Sequence, residues 1–208
     1  MFAVLIGLGV WQLHRLAWKE GILAQIAAAE AGPAAPLPAD PSPFAKVEVQ
    51  GHWAAESARY SVDVRTTKQG DRMGSYVITP LLRDGAPPVL VDRGWLPDGA
   101  AAADPGEVRI VGYVRRAEHP GWLSPPDDPG KLRFYTLDPE RIGAALGVQA
   151  APFTLVAMGP ADQRPWPAQT LPRPPNNHLN YALTWFALAG ALAVVFGFYV
   201  RGVFRSHA

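Results

Sequence analysis

Apolar positions follow three regimes along the chain. From Leu179 to Val200 they are almost continuous, broken only by Asn180, Thr184 and tyrosines. A helix of that length spans the roughly 30 Å hydrocarbon core of a bilayer, so the pattern predicts a transmembrane helix over residues 178–200. Tyr181, Trp185 and Tyr199 lie near its ends, where amphipathic rings favour the headgroup region. Arg201 and Arg205 follow as a cytoplasmic stop, making 201–208 a cytoplasmic tail. The second apolar run, Met1 to Val10, meets His14 and Arg15 and is shorter than a usual span. A signal-peptide core and an uncleaved first span compete for it. No basic stretch precedes the run and no Ala-x-Ala site follows it closely. An uncleaved, truncated or wrongly started span over 1–14 is therefore the expectation. Helical spacing continues through Leu16, Leu23 and Ile26 to Gly32-Pro33, which predicts an interfacial helix over 15–32.

Residues 33–43 are rich in Pro and Ala and read as a linker, after which a period of two sets in. Val47, Val49, Gly51 and Trp53 alternate with Lys46, Glu48, Gln50 and His52, and Tyr60, Val62 and Val64 alternate with Arg59, Ser61, Asp63 and Arg65. Half-buried strands alternate in this way. Tyr76–Leu82, Val89–Trp95, Val108–Val114, Leu132–Leu137 and Phe153–Met158 are further strand candidates. One short helix is expected among them, with Asp138 as N-cap, Pro139 in the first helical position and Gly147 at its end. Short strands joined by local turns point to an antiparallel sheet or a partly open barrel over 44–162. A second Pro-rich linker, 163–177, leads back to the membrane. The predicted architecture is a membrane protein with two transmembrane helices flanking a β-rich α+β extracytoplasmic domain. Arg15 and Lys19 flank the first span on its domain side, while Arg201 and Arg205 lie beyond the second, so charge alone hardly orients the chain.

Composition sharpens this picture in three places. The 208 residues hold one modest domain besides membrane segments, and the formal net charge of +1 with no sustained basic block leaves no footprint for nucleic acid. With 22 Pro and 20 Gly the chain is punctuated by turns, which favours short strands over a helix bundle. The absence of Cys excludes disulfides, thiolate nucleophiles, Cys-ligated zinc and covalent haem attachment.

Signatures of a reaction are missing: there is no Gly-x-Ser-x-Gly elbow, His-Glu-x-x-His pair, phosphate loop or dinucleotide fingerprint. A non-enzymatic protein is expected. The histidines at 14, 52, 119, 178 and 207 show no metal-site spacing. His178 stands apart because it opens a predicted span, where an imidazole either hydrogen-bonds headgroups or ligates an iron held between helices. Asn176 and Asn177 offer N-caps beside it. Trp11, Arg15 and Trp18 share one helical face and set flat aromatic surface beside a cation, which an interfacial belt with a snorkelling Arg explains equally well. In Val91-Asp92-Arg93-Gly94-Trp95-Leu96-Pro97, the residues Arg93, Gly94 and Trp95 suit a partner contact. They equally suit a buried strand leaving through a tight turn.

Several of these residues also form a pattern. Gly9, Trp11, Gln12, Arg15 and Lys19 come first, followed by Gly74, Tyr76, Thr79, Pro80 and Leu81, then Arg93-Gly94-Trp95 with Pro97. Asn176-Asn177-His178-Leu179, Tyr181-Ala182 and Thr184-Trp185-Phe186 complete it. In this order between two apolar ends, they resemble the surfeit locus protein 1 family, assembly factors for haem–copper cytochrome c oxidase. Asp92 departs from the pattern, where Asn is expected, and the first span lacks its usual N-terminal portion. The resemblance implies a multi-pass protein of the bacterial plasma (inner) membrane with a periplasmic central domain, or of the mitochondrial inner membrane. It implies help in delivering or inserting haem a into oxidase subunit I. The implied partners are that subunit, the haem a or haem o synthesis enzymes and the lipid bilayer. Haem a, transiently bound, would have its iron on His178, its macrocycle against Trp11, Trp18 and Trp185, and a propionate on Arg15. The alternative is a scaffold that stabilises an oxidase intermediate without touching haem.

Overall fold

In chain order the elements are α1 (Phe2–Ala31), β1 (Ala35–Pro36), β2 (Lys46–Trp53), β3 (Ala58–Thr67), β4 (Gly70–Arg83), β5 (Ala86–Pro97), β6 (Glu107–Arg116), β7 (Arg133–Phe134), α2 (Pro139–Ala145), β8 (Phe153–Ala157) and α3 (His178–Ser206). The computed structural model describes residues 1–68, 70–102, 106–173 and 175–206. They fall into two units, Met1–Ala28 with Pro172–Ala208, and Ala29–Leu171.

In the helical unit α1 and α3 run antiparallel, since Gln12 meets His178 and Gly9 lies against Phe186. Their seam is narrow: Gly9 and Gln12 on α1 and Ala182 and Ala189 on α3 are buried, while Val194, Val195, Phe196 and Phe198 are exposed. Small residues at such a seam let two backbones approach without a large apolar core. Among the described residues, only His178–Gly202 is long and apolar enough to cross a membrane by length and composition. In α1 the apolar run is interrupted by Gln12, His14, Arg15, Lys19 and Glu20.

The second unit is mostly sheet. β2 pairs with β6, β6 with β8, β8 with β5 and β5 with β4; β4 then returns to β2 through His52↔Leu82 and Trp53↔Leu81. These pairings close a five-strand ring, antiparallel except for β5 with β8. Its interior is filled by Val47, Val49, Trp53, Leu81, Val89, Val91, Val114, Phe153 and Leu155. A second cluster of Ala58, Ile78, Leu90, Phe134, Leu137 and Ile142 is built with α2. Strand β5 therefore has apolar residues on both faces, Val89 and Val91 in one cluster and Leu90 in the other, and reads as a continuous run rather than an alternating one. β3 extends the sheet from β4, β7 pairs parallel with β3, and β1 pairs parallel with β2.

Helix α2 begins where the Asp138-Pro139 spacing predicts: the Asp138 carboxylate accepts from the Glu140 and Arg141 N–H groups. The expected strand Leu132–Leu137 shrinks to Arg133–Phe134. Leu132 takes a φ of 51° to end a short 3-10 turn, and the Asp127 carboxylate claims the N–H groups of Tyr135 and Thr136 that a longer ladder would need. The Pro-rich segment expected as a plain linker also pairs with the sheet, Trp166 with Trp95 and Ala168 with Met158.

Candidate functional site

His178 opens α3, and its Nδ1 lies 2.7 Å from Oε1 of Gln12. An amide oxygen only accepts, so Nδ1 is the donor in this bond and Nε2 is the nitrogen turned away from it. The imidazole is half-buried and Gln12 is buried. A hydrogen bond that fixes the tautomer and aims the ring is the support a metal-binding imidazole needs. The local sequence explains the meeting. Gly9 and Gln12 are three residues apart on one face of α1, and a Cβ at Gly9 would come within 2.7 Å of Phe186 Cζ. Only glycine lets the ring of Phe186 lie on the α1 backbone one turn from Gln12. Among the described residues no three His, Asp or Glu side chains gather into a metal site. A lone imidazole suits an axial bond to a metal that a macrocycle already chelates.

The other residues singled out from the sequence are arranged differently. Trp11 and Trp18 are each 52% exposed, on a face of α1 away from the Gly9–Gln12 stripe. The Arg15 guanidinium lies 4.2 Å from the Trp18 ring centroid, so the cation and one aromatic face are already engaged with each other. Trp185, about two turns along α3 from His178, is half-buried. Thus His178 is brought to Gln12 and Arg15 to Trp18, while Trp11, Arg15 and Trp18 do not join the buried seam. Of the two candidate caps, Asn177 contributes its carbonyl, which accepts from Tyr181 N–H. The Asn176 side-chain oxygen is buried with no partner among the described residues. Sequence reasoning missed Gln12 as the partner of His178. Its signal was a lone amide in an apolar run, one turn after a glycine.

In the sheet unit, Arg93, Gly94 and Trp95 form a corner rather than a contact surface. Trp95 is fully buried; its N–H and C=O pair with Trp166 at 2.9 and 2.8 Å, and the two indoles stack with centroids 5.1 Å apart. Gly94 has a φ of 114°, and a Cβ there would meet the Trp166 backbone and come within 2.7 Å of Pro167 N. Of the Arg93-Gly94-Trp95 expected to meet a partner, Gly94 and Trp95 are buried beneath the returning segment, as the alternative of a strand leaving through a tight turn expects. Arg93 is half-buried with its guanidinium 4.4 Å from the Trp53 ring centroid.

Asp92 anchors the same corner. Its carboxylate is buried and accepts from Gly94 N–H at 2.9 Å. Burial pushes its pKa up to about 6, against the opposing pull of that N–H and of the guanidiniums of Arg115 and Arg65. Burial also pushes the neighbouring Tyr113 phenol up to about 12, with Asp92 adding to the effect.

With this geometry in place, resemblance to known proteins is informative. A model of the SURF1 family matches residues 1–190. The chain is similar to the SURF1-like protein of Rickettsia bellii strain RML369-C, at 29% identity over 214 residues that cover 97% of this chain and 88% of that protein. The SURF1-like protein of Rickettsia felis strain ATCC VR-1525 / URRWXCal2 is 30% identical over 214 residues, covering 97% and 94%. Surfeit locus protein 1 of Homo sapiens is 27% identical over 222 residues, covering 94% and 74%.

Proposed function

This chain belongs to the SURF1 family, and from that premise we propose that it is a non-enzymatic assembly factor for cytochrome c oxidase that holds haem a at the mouth of its helix pair and assists its delivery to oxidase subunit I. The observation that carries the haem reading is the Gln12–His178 bond, in which Nδ1 meets the amide oxygen and Nε2 is the ring nitrogen left to meet a metal. The donor set fits: haem supplies a chelated iron with an axial position open to imidazole. His178 would hold the haem iron, Gln12 would orient its ring, and the half-buried Trp185 would offer a flat apolar surface along the same helix. Arg15, one turn after Gln12 on α1, would supply a cation for a propionate at the cost of its contact with Trp18.

The same reading takes the first part of α1, residues 1–14, as the first span of a multi-pass protein of the bacterial plasma membrane or its mitochondrial counterpart, with the rest of α1 interfacial and the sheet domain on the outer side. The partnering of Gln12 with His178 supports it, because a polar group in a span is tolerated when it meets another polar group rather than lipid. Reporter fusions at Met1 and at Gly70, which flank α1, should then report opposite sides of the membrane, with Gly70 outside, and a fusion at Ala208 should report the side of Met1; the same side for Met1 and Gly70 would remove the first span.

For haem, the protein is purified from cells that synthesise haem a, and its Soret band is compared across variants. His178→Ala and His178→Gln should lose or shift the band while the protein still inserts, since neither residue is a good iron donor. Gln12→Leu should weaken haem retention by roughly tenfold or more, because it frees Nδ1 and the ring orientation. Unchanged spectra in both His178 variants would rule out the axial ligand. A colourless parent that still restores oxidase would support the scaffold in its place.

A further inference from the structure

Beside the corner formed by Asp92 and Gly94, the sheet unit holds an open pocket of about 360 Å³ that the haem reading leaves unused. Tyr60, Arg65, Tyr76, Asp92, Tyr113 and Arg115 line it. The volume is in the range of small-molecule sites. What sets it apart is its chemistry: Tyr60, Ser61, Arg65, Tyr76, Tyr113 and Arg115 bring hydroxyl and guanidinium donors to a lining whose other members include Gly94, Val156, Pro167 and Ala168. Arg65 Nη2 donates to the Tyr76 hydroxyl at 2.9 Å and pairs with Asp63 at 3.2 Å. Arg115 pairs with Glu118 and donates to the Tyr60 hydroxyl at 3.4 Å. The paired carboxylates, Asp63 and Glu118, are about two-fifths exposed, so they stand at the rim. Asp92, only 3% exposed, lies within the electrostatic reach of both guanidiniums. A cationic ligand would meet the two guanidiniums in the lining, with their paired carboxylates at the rim. A carboxylate would find guanidinium and phenol donors around it, together with one buried carboxyl that can hold a proton between the two acids.

We propose that this cavity binds a small carboxylate, flanked by Arg65 and Arg115 and hydrogen-bonded through a single shared proton to the carboxyl of Asp92. Binding then takes up one proton when Asp92 starts ionised, since two carboxylates cannot share the site unprotonated. The groups facing Asp92 are Tyr60, Asp63 and Arg65 from β3, Tyr76 from β4, and Tyr113 and Arg115 from β6 with Glu118 beyond it. The phenols of Tyr60 and Tyr113 have pKa values raised by burial, and the guanidiniums stay charged near neutrality, leaving Asp92 as the group whose ionisation varies there.

The test uses the full chain in detergent and acetate as the probe, with binding followed by calorimetry. Saturable binding is expected, weakening about tenfold between about pH 7 and about pH 8, where Asp92 must be protonated for the complex to form. Asp92→Asn should bind acetate with no such pH dependence, and Arg115→Gln should abolish binding. A capped peptide carrying a single Glu distinguishes the source. Displacement of acetate by the peptide assigns the site to an acidic side chain of a partner; failure to displace it assigns the site to a free acid. The proposal is overturned if folded protein shows no saturable acetate binding at about pH 6, if affinity rises with pH, or if Arg115→Gln binds like the parent. None of these outcomes depends on haem, so this site and the haem site stand or fall separately.

Discussion

Replacing Asp92 by Asn is expected to stabilise the sheet domain at neutral pH and to flatten its dependence on pH. Asp92 is fully buried, and its pKa of about 6 in the folded chain stands against 3.8 for an ordinary carboxyl. The folded state therefore binds this proton more tightly than the unfolded state does. A group of that sign contributes stability that is fully present below the unfolded pKa and is lost as pH rises through the folded one. Between about pH 4 and about pH 6 the loss approaches about 3 kcal/mol, from about 1.4 kcal/mol for each tenfold change in proton affinity. Asn carries no charge to desolvate, and its amide oxygen still accepts from Gly94 N–H. Denaturant unfolding of parent and variant across that window should give two curves that meet at the acidic end and diverge toward neutrality, with the variant higher. Parallel curves would mean that Asp92 is not the group that titrates.

Gly94→Val is expected to cost more than any other single change in the corner. The backbone there has a φ of 114°, which a β-branched residue does not adopt without strain of about 1–3 kcal/mol. The new Cβ would also strike the Trp166 backbone, breaking the Trp95–Trp166 pairing and the stack of their indoles. Overpacking of this kind adds about 1–3 kcal/mol more. Against a total stability of about 5–15 kcal/mol, the sum should lower the amount of folded protein in cells several-fold. Chromatography and thermal unfolding read it directly. A variant that accumulates and melts like the parent would show that the segment carrying Trp166 is held independently of this corner. Gly94→Ala, which keeps the clash but lessens the branching, should fall between the two.

How much of this protein was legible before its fold was known depends on the range of the interactions involved. The span beginning at His178, the alternation in β2 and β3, and the capped helix after Asp138 all follow from local rules. Continuous apolarity, a period of two, and an Asx–Pro start each act within a few residues, so they show in the order of the residues alone. The likeness to an oxidase-assembly family was legible for a related reason, since it rests on short words in a fixed order. Ring closure was not legible. It depends on His52 and Trp53 meeting Leu82 and Leu81, a pairing that no period within either strand announces. The role of Arg93-Gly94-Trp95 likewise turned on Trp166, more than seventy positions away, which buries what looked like a contact surface. The partner of His178 was hidden by the same kind of distance: Gln12 lies 166 residues earlier and reaches the imidazole only because Gly9 admits Phe186 to the helix backbone. The polar cavity combines side chains from β3, β4, β5 and β6, and the high pKa of Asp92 is a property of its burial. Local sequence thus determined which segments are helix, strand or span. Which side chains face one another, and what chemistry they hold in common, was decided by the folding that removed them from water.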